Sequence, residues 1–114
     1  MSVNIYPPVD LANGVIQTGS SDTRPLADRL REVSGLAGRP VIVSEWSFCG
    51  QDTECPNTHG AGFKVPTQAD RAAAARLMVE SMLREPTVVG TIHFRWVDMP
   101  PLGRWTLTGG DDSN

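Results

Sequence analysis

The sequence predicts an α/β domain built on a parallel sheet, and three observations point that way. Two β-branched runs, "RPVIVSEW" and "TVVGTIHFRW", each reach a tryptophan with a carboxylate beside or just after it. Helical patterns alternate with the strand-like runs, giving the order strand, helix, strand, helix, strand, which is the order of βαβ units with right-handed crossovers. Long loops follow the strands and shorter connections follow the helices.

Each element has its own signal. "VNIY", residues 3–6, alternates apolar and polar positions and is stopped by Pro7-Pro8, so it reads as a strand end followed by a turn. Residues 9–23 are rich in Gly, Ser, Asp and Asn and read as a long loop. "RPLADRLREVSGLAG" then sets Leu26, Leu30 and Val33 at helical spacing, with Asp22 or Thr23 as candidate caps and Gly38 near the stop. Val41, Ile42 and Val43 have no polar residue between them, as suits a strand at 40–44 buried on both faces.

Residues 47–66 read as a second long loop, which contains Cys49, Cys55 and His59. "VPTQADRAAAARLMVESMLREP" has Thr67 as N-cap, Asp70 three positions on in a variant of the capping box, and an alanine-rich interior of high helix propensity. Ala74, Leu77, Met78, Ser81 and Met82 share one face of that helix, and Pro86 forces its end. The last segment, "TVVGTIHFRWVD", is again β-branched and aromatic.

Composition narrows the function classes. At 114 residues the chain is at most one domain, and its 39% hydrophobic content is that of an ordinary globule. A net charge of −3, a single lysine and scattered arginines argue against a nucleic-acid partner. No apolar run approaches the roughly 18 residues that span a bilayer, and "MSVNIYPPVD" lacks the regions of a signal peptide, so neither a membrane partner nor a compartment is indicated. Cys49 and Cys55 enclose "GQDTE", short enough for a disulfide, but two cysteines also occur by chance. With His59 and Asp52 they have the residue types of a zinc site, yet the spacing fits no recognised pattern and gives no clear fourth ligand.

Parallel sheets bind ligands beyond the carboxyl ends of their strands, where Tyr6, Glu45, Trp46, Trp96 and Asp98 all fall. Three parallel strands and two helices would leave both sheet edges open and one face poorly covered. Since a complete (β/α)8 barrel takes roughly 250 residues, the chain reads as a piece of one, about two and a half βα units.

"VNIYPP", "RPVIVSEWSF", "NTHGAGFKVPTQADRAAA", "VVGTIHFRWVDMPPLGR" and the closing "DDSN" resemble the last three strand regions of a retaining glycoside hydrolase of the large (β/α)8 clan. The nearest likeness is to agarase-like and related β-galactan or β-galactosidase-type enzymes. The resemblance spans nearly the whole chain. It implies that residues 1–114 are the C-terminal part of one catalytic domain, with "VNIY" as strand six, "VIVSE" as strand seven and "TIHFRW" as strand eight.

That clan keeps two catalytic glutamates at the ends of strands four and seven, so Glu45 matches the nucleophile. A retaining enzyme forms a glycosyl ester on one carboxylate, and a second carboxyl group roughly 5–5.5 Å away serves as acid and then base. The resemblance further implies that Tyr6 hydrogen-bonds the nucleophile and that Trp96 floors the reacting sugar. Asp98 and His93 are further substrate-binding candidates, Asp98 for sugar hydroxyls or as a loop cap, His93 facing the pocket or satisfied in the core. Trp46 is the last aromatic candidate, although alternation turns it to the other side of its strand from Glu45, where packing is expected.

No cofactor is implied; the partners are a carbohydrate substrate and the remainder of the barrel. The acid/base glutamate would lie on a strand-four region that these residues do not contain. Two readings from other classes stand beside this one: a non-catalytic carbohydrate-binding remnant using Trp46, Trp96 and Trp105, and a small α/β interaction protein that completes its sheet by oligomerising.

Overall fold

A computed structural model describes residues 1–54 and 62–95. Its centre is a three-stranded parallel sheet in the order β1 (Ser2–Asn4), β4 (Val41–Trp46), β7 (Val88–His93). Between these strands lie α1 (Leu26–Ala37) and α2 (Gln68–Leu83). The protein is thus mixed α/β, with its three main strands adjacent in chain order as the alternating pattern predicts.

Both predicted loops contain short strands. Residues 9–23 hold an antiparallel pair, β2 (Val9–Asp10) and β3 (Val15–Ile16), closed by a turn in which Asp10 Oδ1 accepts from the Asn13 amide at 3.0 Å. Residues 47–66 hold β5 (Phe48–Gly50) and β6 (Phe63–Val65), which pair in parallel. Runs of two or three residues are too short to express a period, so the polar residues around them dominate the sequence signal.

The two helices begin differently. Thr67 Oγ1 accepts from the Asp70 amide at 3.0 Å while Asp70 Oδ2 accepts from the Thr67 amide at 3.1 Å, closing the expected capping box on α2. Asp52 reaches over from the preceding loop and takes the Gln68 amide at 2.7 Å, satisfying another N–H that the first turn leaves without an intrahelical partner. For α1 neither Asp22 nor Thr23 is the cap. Pro25 occupies that position with no side-chain bond, and Asp22 instead pairs with Arg24 at 2.8 Å. Gly38 ends α1 in the left-handed region at φ 61°, where a Cβ would be strained, and the Gly38 and Arg39 amides close back on Gly35 and Ser34.

One apolar cluster joins both helices to one face of the sheet. Leu26 and Leu30 of α1, Ala74, Met78 and Met82 of α2, and Val41, Val43 and Trp46 of β4 are all buried in it, together with Ile16 and Phe48. Each large side chain buried in this way contributes about 1.5–3 kcal/mol. The expectation that β4 is buried on both faces is therefore corrected. Ile42, between two fully buried valines, is 39% exposed, and Ile92 on β7, two residues beyond its partner Gly90, is 56% exposed. The absence of polar residues in "VIV" marks a strand with two apolar faces, only one of which these helices cover.

Candidate functional site

The site is set by a bulge in β4. Val3 stands beside Val43 and Asn4 beside Glu45, so two residues of β4 oppose one step of β1. On the other side Val43 pairs with Thr91 and Trp46 with His93, which again leaves Ser44 and Glu45 against a single residue, Ile92. Unbroken alternation from Val41 and Val43 would drive the side chain of residue 45 into the helix-covered core. The extra residue shifts the phase, so Trp46 takes the core position and Glu45 is released towards the open face.

Three side chains meet at Glu45: Asn4 at the end of β1, Tyr6 two residues beyond it, and Ser44 of β4. The Tyr6 hydroxyl donates to Glu45 Oε1, and the Asn4 amide nitrogen donates to Glu45 Oε2 at 2.8 Å. The Ser44 hydroxyl donates to Asn4 Oδ1 at 2.9 Å, with the Val3 carbonyl as a second acceptor at 3.2 Å. The backbone is fastened at the same point, where the Ile5 amide donates to the Glu45 carbonyl at 2.8 Å. Asn4 and Tyr6 lie two residues apart, the spacing that puts extended side chains on one face. Tyr6 and Glu45 are half-buried and Asn4 is exposed, so the carboxylate is oriented yet open to a ligand.

Trp46 is not a sugar platform. Its ring is 3% exposed, edge-on to Phe48 and His93 at centroid distances of 6.1 and 5.0 Å, and its Nε1–H donates to Thr91 Oγ1 at 2.5 Å. This corrects its inclusion among substrate-binding candidates and agrees with the packing role expected from alternation. His93 is half-buried against that ring, on the Trp46 side of the sheet. Burial first, and then the Arg71 charge, pushes its imidazole below the ordinary 6.5. Trp96, Asp98, Trp105, Cys55 and His59 lie outside the described residues. Cys49 is buried in β5.

Asn4 and Ser44 were missed by sequence reading. Their signal was present, since Asn4 shares a strand face with Tyr6, but neither is itself a catalytic residue type and the bulge that unites them is invisible to periodicity.

On the helix-covered side, a cavity of about 330 Å³ lies among Ile16, Pro25, Arg31, Leu77 and Glu85. It shares no residue with the Glu45 site, and its four charged groups already pair, Arg31 with Glu85 at 2.6 Å and Arg84 with Glu80 at 3.5 Å. Among the described residues the chemistry therefore concentrates on the carboxylate at the end of β4, which has two donors and an open approach.

No family model, curated protein or solved structure matches this chain.

Proposed function

We propose that this chain is part of a retaining (β/α)8 glycoside hydrolase, with Glu45 as the nucleophile that forms the glycosyl ester. The observation that supports this reading is the Glu45 carboxylate itself. It stands at the carboxyl end of a parallel strand, with one oxygen on the Tyr6 hydroxyl and the other on the Asn4 amide. Two donors on two oxygens hold an ionised carboxylate in one orientation, which lowers the reorganisation needed for attack at an anomeric carbon.

The sheet favours the same reading. Its three strands run in chain order and both helices pack on one face, the arrangement of successive βα units around a barrel. The other face carries apolar Ile42 below the polar Asn4 and Glu45, with Ile92 beside Glu45 on the neighbouring strand, as the inner wall of a barrel does at its active site. The acid/base carboxyl group, the remaining strands and most of the sugar subsites would come from the rest of the barrel. The substrate class that the likeness favours is a β-linked galactan or galactoside, endo or exo.

The test is covalent trapping. A 2-deoxy-2-fluoro-β-galactosyl donor with a dinitrophenolate leaving group needs no acid to depart, so the nucleophile alone can capture the sugar. The peptide containing Glu45 should gain the mass of one fluorosugar, and an enzyme turning over an unmodified β-galactoside should first release the β-anomer. Labelling of a different carboxylate, or first release of the α-anomer, would overturn the assignment.

A further inference from the structure

We infer that Asn4, held in one orientation by Ser44, is a positioning residue for Glu45 whose main effect is on breakdown of the glycosyl ester; this rests on the glycosidase reading above. A carboxylate only accepts hydrogen bonds, so the side of the Asn4 amide facing Glu45 must be the nitrogen, which lies 2.8 Å from Oε2. The amide oxygen then faces Ser44, whose hydroxyl donates to it at 2.9 Å. The Glu45 carboxylate, which can only accept, selects the amide orientation, and the Ser44 hydroxyl, which can donate or accept, reinforces it by donating to Oδ1. The β4 bulge makes this possible, because it lets the consecutive side chains of Ser44 and Glu45 both reach Asn4.

The chemical consequence follows from where the charge goes. In the first step a Glu45 oxygen bonds to the anomeric carbon, and the glycosidic oxygen leaves with a proton from the acid carboxyl group supplied by the rest of the barrel. In the second, water attacks that carbon and gives its proton to the same group, now a base, while the carbon–oxygen bond to Glu45 breaks and its electron pair returns to the carboxylate. A donor on Oε2 stabilises the carboxylate over the ester. It therefore makes Glu45 a weaker nucleophile but a better leaving group, and its removal should slow the second step more than the first. The Tyr6 hydroxyl donates to the other oxygen, Oε1, so the two donors are not redundant.

The experiment has one arm that needs no turnover. In ¹⁵N-labelled protein one proton of the Asn4 side-chain amide should resonate downfield of its free-amide position, because it faces the carboxylate. That shift should be lost in Glu45→Gln and averaged in Ser44→Ala, while Ser44→Thr, which keeps the hydroxyl, preserves it. Asn4 amide protons at free-amide positions in the wild-type protein would overturn the relay, whatever the activity.

The second arm follows the intact enzyme with 2,4-dinitrophenyl β-galactoside, for which ester breakdown limits turnover. Asn4→Ala and Ser44→Ala should lower kcat on the order of 10-fold, the worth of one hydrogen bond to a charged group. KM should fall in parallel, galactosylated Glu45 should accumulate in the intact mass spectrum, and Ser44→Thr should restore wild-type kinetics. A fall in kcat/KM as large as that in kcat, with no accumulated ester, would overturn the role in breakdown. If the wild-type enzyme transfers no sugar although the first arm succeeds, the glycosidase reading fails and the Ser44–Asn4–Glu45 geometry stands.

Discussion

The Tyr6 hydroxyl donates to Glu45 Oε1 across the seam between β1 and β4, joining residues 39 positions apart at the carboxyl ends of two parallel strands. Neither residue can reach the other unless the strands are adjacent and in register, so the contact is a product of the fold. Tyr6→Phe removes the donor and leaves the ring. On the nucleophile role proposed for Glu45, kcat should fall roughly 10- to 100-fold, as for loss of one hydrogen bond to a charged group. The far-ultraviolet circular dichroism spectrum should be unchanged. Wild-type turnover in Tyr6→Phe would make the contact a structural one only.

Sequence pattern was most informative where elements are long and chemically uniform. The alanine-rich α2 with its Thr67–Asp70 box, the Gly38 stop of α1 and the three main strands all express a local preference that packing then reinforces. It was least informative where tertiary contact decides. Asp22 looked like a cap, but the chain from Arg24 onward turns so that Asp22 meets Arg24 and Pro25 opens the helix. The exposed face of β4 escaped notice because a run of apolar residues does not say how many faces are covered. At the site, Glu45 and Tyr6 were legible as residue types at strand ends. Asn4 and Ser44 were not, because their role depends on the one-residue bulge.

Glu85 gives the fold a pH dependence. Its carboxylate is 1% exposed and lies between Arg31 Nη2 at 2.6 Å and the Thr87 hydroxyl at 2.8 Å. Burial alone would raise its pKa, but the Thr87 hydroxyl, the Thr87 amide and the Arg31 guanidinium together hold it below the ordinary 4.5. A carboxyl group depressed on folding contributes stability that is fully present above its unfolded value and is lost as pH falls through its folded value. In urea titrations at pH 7, Glu85→Gln should be about 2 kcal/mol less stable than the wild type, the scale of buried hydrogen bonds to a charged group. That gap should narrow as the pH is lowered past 4.5. A gap that is constant from pH 7 to pH 3 would mean that shape, not charge, is what Glu85 supplies.

The open sheet face tests the barrel reading. Ile92 is 56% exposed, so Ile92→Thr in the 114-residue chain should change stability by less than about 0.5 kcal/mol. Inside a closed barrel the same side chain would be buried among the other strands, where truncating it and adding a hydroxyl costs roughly 1–3 kcal/mol. Chemical denaturation of both forms with and without the substitution reads the difference. Equal small effects would leave this face outside any barrel interior.

The strongest test of Glu45 is stereochemical. Glu45→Gln keeps the shape of the side chain and can still accept from Tyr6, but it has no negative charge with which to form an ester. Turnover should therefore collapse while substrate binding largely survives, so kcat and kcat/KM fall together without the rise in KM that marks a lost binding contact. Glu45→Ala goes further and vacates the space below the anomeric carbon. Azide can enter there and attack in place of the carboxylate, whereas the glutamine side chain still fills the space and should block it. Because this rescue is a single displacement, its product is the α-glycosyl azide, inverted relative to a β-linked substrate. An acid/base carboxyl group removed in the same way leaves the nucleophile intact, and azide then intercepts the ester from the other face to give the retained β-azide. The anomer of the azide product thus distinguishes the two roles with no assumption about the rest of the barrel. A β-azide from Glu45→Ala, or near wild-type hydrolysis without azide, would remove Glu45 from the nucleophile's place.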